Sequence, residues 1–209
     1  MKTEAHDALL VIDVQNDFCP GGRLAVTGGD QIIAAIHRIA PRFDHVILTQ
    51  DWHPPDHRSF ASAHAGKKPY DLIEMPYGTQ TLWPDHCVQG TQGADFHPAL
   101  QLTRAELILR KGRRREIDSY SAFFENDRTT ATGLAGYLRE RGLTRVFLCG
   151  LAYDFCVGFS ALDARRLGFE TTVIRDACRA IDLNGSAAQM DAEFARAGVT
   201  VIDSASLLS

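Results

Sequence analysis

Apolar positions fall along this chain in two alternating rhythms. Short runs of strand length, rich in Val, Ile and Leu, occupy residues 8–14 (ALLVIDV), 45–49 (HVILT), 106–110 (ELILR), 145–149 (RVFLC), 170–174 (ETTVI) and 199–202. Between them lie segments with helical spacing. Residues 30–43 carry Ile32, Ile33, Ile36, Ile39 and Ala40 on one face, with Asp30 placed to cap the first turn. Residues 131–141 end at Gly142, 155–167 at Gly168 and 186–197 at Gly198, glycines that suit a helix C-terminus. Strand and helix in alternation, with short connections, predict a three-layer α/β/α fold around a central six-stranded, mainly parallel sheet. Its crossovers should be right-handed, and its ligands should bind at the carboxyl ends of the strands.

One stretch breaks the rhythm. Residues 50–103 are rich in Pro, Gly, His and aromatics and show no sustained period. Irregular segments of this length inside a compact domain are commonly functional, and this one holds too many aromatics and histidines to be a solvated linker. We read residues 1–209 as a single domain with a metal- and substrate-binding insertion at about 50–103.

A formal charge of -4 speaks against non-specific nucleic-acid binding, which needs a basic surface. No apolar run reaches the roughly 20 residues that span a bilayer, so no membrane partner is expected, and the polar start does not read as a secretion signal. Five cysteines at scattered spacings, without a CxxC pair, argue against a disulfide framework and for a reducing cytoplasm.

The strand ends hold the candidate chemistry. The first run closes on Asp13, in VIDVQNDF. The second runs into TQDWH, where Asp51 and His53 are two residues apart and so share a side of extended chain. His86, in WPDHCVQG, can supply a third donor, and His57 is a further candidate. A carboxylate with imidazoles suits zinc, iron or manganese. The third run ends at Lys111, in ILRKG. The fourth leads into GLAYDFCV, where Cys156 falls in the first turn of the following helix. Amide N–H groups and the helix dipole there favour a thiolate, and a nearby ammonium adds to this. Asp13 can take the thiol proton and Lys111 can balance the charges, which is how a nucleophile is activated. The N–H groups of Ala152 and Cys156 can form an oxyanion hole. Cys19, Cys87, Cys149 and Cys178 lack such a setting and read as structural. The residues alone leave other readings open: an amidase for carbamoyl compounds, a metal-activated water as nucleophile, or a non-catalytic binding protein.

The segments LLVIDVQNDFCPGGRLAV, TQDWHPPDHRSFAS, LWPDHCVQGTQGADFHP, ILRKG, DSYSAFFE, GLAYDFCV and RDACRAID together resemble the isochorismatase-like cysteine hydrolases, and within them the nicotinamidase branch. The resemblance implies an Asp13–Lys111–Cys156 triad and a metal site on Asp51, His53 and His86, with His57 joining the ligands in some members. It implies one divalent ion, Zn2+ ahead of Fe2+ or Mn2+, and no organic cofactor. It also implies a cis peptide before Ala152, and places Phe18, Leu24, Trp83 and Tyr120 around the substrate ring. The implied reaction converts nicotinamide to nicotinate and ammonia through a thioester in NAD salvage, with pyrazinamide as a second substrate and a homo-oligomer as an admissible assembly. Phe155, just before Cys156, varies among relatives and can reshape the pocket beside the amide.

Overall fold

The computed structural model describes residues 1–208. The chain runs β1 (Asp7–Ile12), α1 (Ile33–Ile39), β2 (His45–Asp51), β3 (Leu72–Met75), β4 (Gly78–Thr81), β5 (Leu107–Lys111), α2 (Leu134–Glu140), β6 (Arg145–Leu151), α3 (Gly158–Arg166), β7 (Glu170–Arg179), α4 (Ser186–Ala197), β8 (Thr200–Ile202) and α5 (Ala205–Leu208). Six strands form one parallel sheet in the order β5-β2-β1-β6-β7-β8. Every residue of β1 is buried, as expected of a central parallel strand covered on both faces. Helix α1 packs with α5, and α3 with α4.

The strand order explains where a site can form. From β1 the chain builds outward through β2 to β5, then returns and builds from β6 through β7 to β8 on the other side. The reversal lies between β1 and β6, and a crevice opens at the carboxyl edge where the order reverses. β1 stops at Ile12 rather than running to Val14, because Asp13 takes a positive φ of 47° that turns the chain off the sheet. The adjacent strand makes room with Gly150 (φ 120°), where any Cβ would strike the carbonyl of Ile12. The β6–β7 register shifts at this same point, between Leu148 and Gly150.

Several boundaries differ from those read in the sequence. Residues 30–43 form only two turns of α-helix, flanked by short 3-10 turns at Gly29–Ile32 and Ala40–Arg42. Asp30 caps nothing: the turn starts at Gly28 in the left-handed region, with no side-chain cap. The turn carrying Cys156 is a π-turn, Tyr153–Val157, and α3 begins only at Gly158. β7 continues past Ile174 to Arg179 because its far half pairs with Gly150 and Leu151. The irregular stretch after β2 holds an antiparallel hairpin, β3–β4, apart from the main sheet.

Candidate active site

β2 and β5 pair in parallel with Asp51 directly opposite Lys111, so the carboxylate and the ammonium leave the sheet side by side. The Lys111 Nζ donates to Asp51 Oδ1 at 2.5 Å and to the carbonyl of Ser119 at 2.8 Å. It lies 2.8 Å from Asp13 Oδ2 and 3.4 Å from Cys156 Sγ. The Asp13 carboxylate is held from the other side by Thr49, whose hydroxyl donates to Oδ1 at 2.6 Å. Thr49 is two residues before Asp51 on β2 and therefore shares its face. Ligand atoms of Asp13, Asp51 and Cys156 all lie within 4.8 Å of one another. The structure thus gathers Asp13, Lys111 and Cys156 at the β1/β6 reversal, all essentially buried.

Burial sets the protonation states. It pushes the Cys156 thiol well above its usual range, and the pull of Lys111 in the other direction does not reverse this. Asp13, read in the sequence as the base for this thiol, has a carboxylate oxygen within 4.8 Å of the sulfur. The sulfur sits in a dry π-turn ahead of the helix, so a base must take its proton. Burial also raises Asp13, against the opposing pull of Lys111. Lys111 itself is burdened by burial, yet the two carboxylates outweigh this and hold it firmly protonated.

On the far side of Asp51, two imidazoles converge. His53 Nδ1 faces the carbonyl of Gly112 at 2.9 Å, and His86 Nδ1 faces the carbonyl of Pro84 at 2.8 Å. A carbonyl only accepts, so both rings carry their proton on Nδ1 and present Nε2 as a lone pair. These Nε2 atoms lie 3.6 and 3.9 Å from Asp51 Oδ2. The His53 Nε2 is buried without a hydrogen-bond partner. With Nε2 unprotonated, the two lone pairs and the carboxylate oxygen that face one another are complementary to a cation, and all three donors lie within 4.8 Å. The residues present therefore fit a divalent ion. Gly112 (φ 65°) lets the strand end approach this closely, since a Cβ there would enter the His53 ring. His57 stands beside this trio, its ring 4.4 Å from that of His53. Both its nitrogens are engaged, Nδ1 with the Ser59 hydroxyl at 2.7 Å and Nε2 with the carbonyl of Ile117 at 3.2 Å.

Cys156 opens onto a narrow cavity. Phe18, Leu24, Trp83 and Tyr120 all line it, as do Asp51, His86 and Ala152. The Trp83 and Phe155 rings meet at 89° with centroids 4.9 Å apart, and the Trp83 indole donates to the Tyr120 hydroxyl at 3.1 Å. The peptide between Leu151 and Ala152 is cis.

Sequence reasoning missed four supporting residues. Gln15 clasps the main chain of Asp51, donating to its carbonyl and accepting from its N–H, both at 2.8 Å. Asp17 accepts the Cys87 N–H at 2.7 Å and so fixes the loop bearing His86. Thr49 was findable, as a hydroxyl residue closing an apolar run. Asp118, which also lines the cavity, lies in an irregular segment with no pattern to mark it.

The isochorismatase domain model matches residues 7–206 of the chain. A nicotinamidase of Acinetobacter baylyi is 56% identical over 208 residues, covering 100% of this chain and 97% of that protein. A protein of L. infantum solved in complex with nicotinate superposes with a TM-score of 0.87 at 40% identity, covering 99% and 98% of the two chains. A pyrazinamidase of Pyrococcus horikoshii in complex with zinc gives a TM-score of 0.76 at 32% identity, covering 95% and 99%.

Proposed function

The chain belongs to the isochorismatase family, and on that premise we propose that it is an amidohydrolase converting nicotinamide to nicotinate and ammonia in NAD salvage, with pyrazinamide also accepted. One observation carries the reading: a thiol with a buried acid beside it opens onto an aromatic-walled cavity that Asp51 and His86 of the candidate cation trio also line. On this reading a pyridine ring would lie between those walls, with its carboxamide toward sulfur and its ring nitrogen toward the trio.

Asp51, His53 and His86 would hold the ion, and zinc is the reading we favour, as in the P. horikoshii relative. When bound, the ion supplies a Lewis-acidic anchor that orients the ring. Asp13 takes the proton from Cys156 Sγ, and the sulfur forms a bond to the carboxamide carbon. The N–H groups of Ala152 and Cys156 would stabilise the oxygen that gains the negative charge. Asp13 returns its proton to the nitrogen as the C–N bond breaks and ammonia leaves. Asp13 then takes a proton from water, whose oxygen bonds to the thioester carbon; as the C–S bond breaks Asp13 returns that proton to sulfur, and the product leaves as nicotinate with its acid proton lost to solvent. Lys111 stays protonated throughout and balances the charge that moves between Asp13 and sulfur. Among the described residues no helix is long and apolar enough to cross a membrane.

Ammonia release from nicotinamide tests the reading, with Cys156→Ala as the decisive variant. Turnover is expected to fall below detection while the far-UV spectrum is retained. Appreciable nicotinate formation by that variant would rule out the covalent route and favour a metal-activated water.

A further inference from the structure

Gln80 is an anomaly on its hairpin. Its β4 neighbours Gly78 and Thr79 are exposed, yet Gln80 is only 1% exposed. Its amide has four hydrogen-bonding positions, and the structure fills all of them. Nε2 donates to the Thr81 carbonyl at 2.7 Å and to Asp118 Oδ2 at 2.8 Å. Oε1 accepts from the Tyr77 hydroxyl at 3.2 Å and from Asn126 Nδ2 at 3.3 Å. Two acceptors on one end and two donors on the other fix the amide's orientation. Nε2 also lies 3.1 Å from the Tyr120 hydroxyl.

These bonds converge on one segment. Residues 118–120 belong to no strand or helix, so no backbone ladder fixes them. They nevertheless carry Asp118 and Tyr120 on the cavity wall, and the Ser119 carbonyl that receives Lys111. Asn126 closes the other side, donating its N–H to the Asp118 carbonyl at 2.7 Å and accepting the Tyr120 N–H on Oδ1 at 3.0 Å. The Tyr120 hydroxyl in turn receives the Trp83 indole. A chain of directed bonds therefore runs from the hairpin to two aromatic walls of the cavity.

We infer that Gln80 is a positioning residue for substrate binding, which sets the place of Tyr120 and Trp83 through Asp118 and Asn126 without touching the reacting atoms. This rests on the proposed nicotinamide reaction for its kinetic readout, but not for its spectroscopic one. Lys111 is held by Asp13 and Asp51, which Gln80 does not touch, so the loss is expected on binding rather than on bond making. Gln80→Leu removes these bonds, the direct contact with the Tyr120 hydroxyl included, at similar volume. Gln80→Glu keeps the shape but sets an oxygen against Asp118 Oδ2 and the Thr81 carbonyl.

The experiment measures kcat and KM for nicotinamide in both variants, with urea unfolding as a check on folding. It adds the ligand-free emission of Trp83, read in a Trp52→Phe background. Gln80→Leu should raise KM roughly tenfold with kcat within about threefold of the unsubstituted chain, the pattern of lost uniform binding. Gln80→Glu should raise KM further, and both should shift the Trp83 emission. A KM within about twofold of the unsubstituted chain in either variant, or a kcat drop at unchanged KM, overturns the inference. If the unsubstituted chain releases no ammonia from nicotinamide, the functional reading fails, and the Trp83 emission alone decides the role of Gln80: a shift supports it and an unchanged spectrum refutes it.

Discussion

Replacing Lys111 with Met puts the charge balance of the site to a quantitative test. Lys111 is 2% exposed and Asp13 is fully buried, with Nζ 2.8 Å from Asp13 and 2.5 Å from Asp51. At an effective dielectric constant of about 20, each contact is worth about 6 kcal/mol before desolvation. Removing the lysine also removes its own desolvation cost of several kcal/mol, so the net penalty is about 3–5 kcal/mol, the range for stripping one partner from a buried pair. Against a total stability of about 5–15 kcal/mol this is large. For a chain of this length it lowers Tm by roughly 6–20 °C. The assay is urea unfolding of chelator-treated protein by circular dichroism at pH 7 and pH 5. Burial already raises the folded-state pKa of Asp13, and loss of the ammonium raises it further. A group with a raised folded pKa contributes stability that is fully present below its unfolded value of about 3.9 and is lost as pH rises through the folded value. The deficit of Lys111→Met should therefore shrink between pH 7 and pH 5. A deficit under about 1 kcal/mol at pH 7, or one that grows on acidification, refutes the charge-balance argument.

Further outcomes follow from the geometry. The acid limb of kcat/KM should lie above the usual carboxylate range, because Asp13 must be ionised to accept the thiol proton and burial raises it. Thr49→Val removes a bond to its ionised form and should move that limb to higher pH in the same rate profile. Gly150→Ala should cost more than about 3 kcal/mol in urea unfolding, since a Cβ at φ 120° meets the Ile12 carbonyl. Chelation should remove one equivalent of metal by elemental analysis and raise KM for nicotinamide, and Asp51→Asn should bind the ion at least tenfold more weakly in a titration.

The sheet was legible because its strands are short apolar runs in a sequence that alternates with helical spacing. Asp13 and Lys111 stood out as reactive side chains closing such runs, and Cys156 as a thiol in the turn just after one, where fold geometry already points. Asp30 misled: its spacing suits a cap, but the chain enters the helix through a 3-10 turn from Gly28 that leaves its side chain no role. Gln80 and Asp118 were invisible for a different reason. They are 38 residues apart and meet outside the main sheet, so neither periodicity nor a local motif marks their bond. The β3–β4 hairpin escaped notice because most of its residues are exposed or half-buried, leaving no apolar run.

Lys111 touches both the acid and the first ligand of the cation trio, and this shared contact has a thermodynamic consequence. Whatever ion uptake at Asp51 does to the proton affinity of Asp13, protonation of Asp13 must do to ion affinity by the same factor. An ion held by the trio and a proton on Asp13 would thus share one linked equilibrium, carried by the Lys111 ammonium and by the direct repulsion between the two carboxylates.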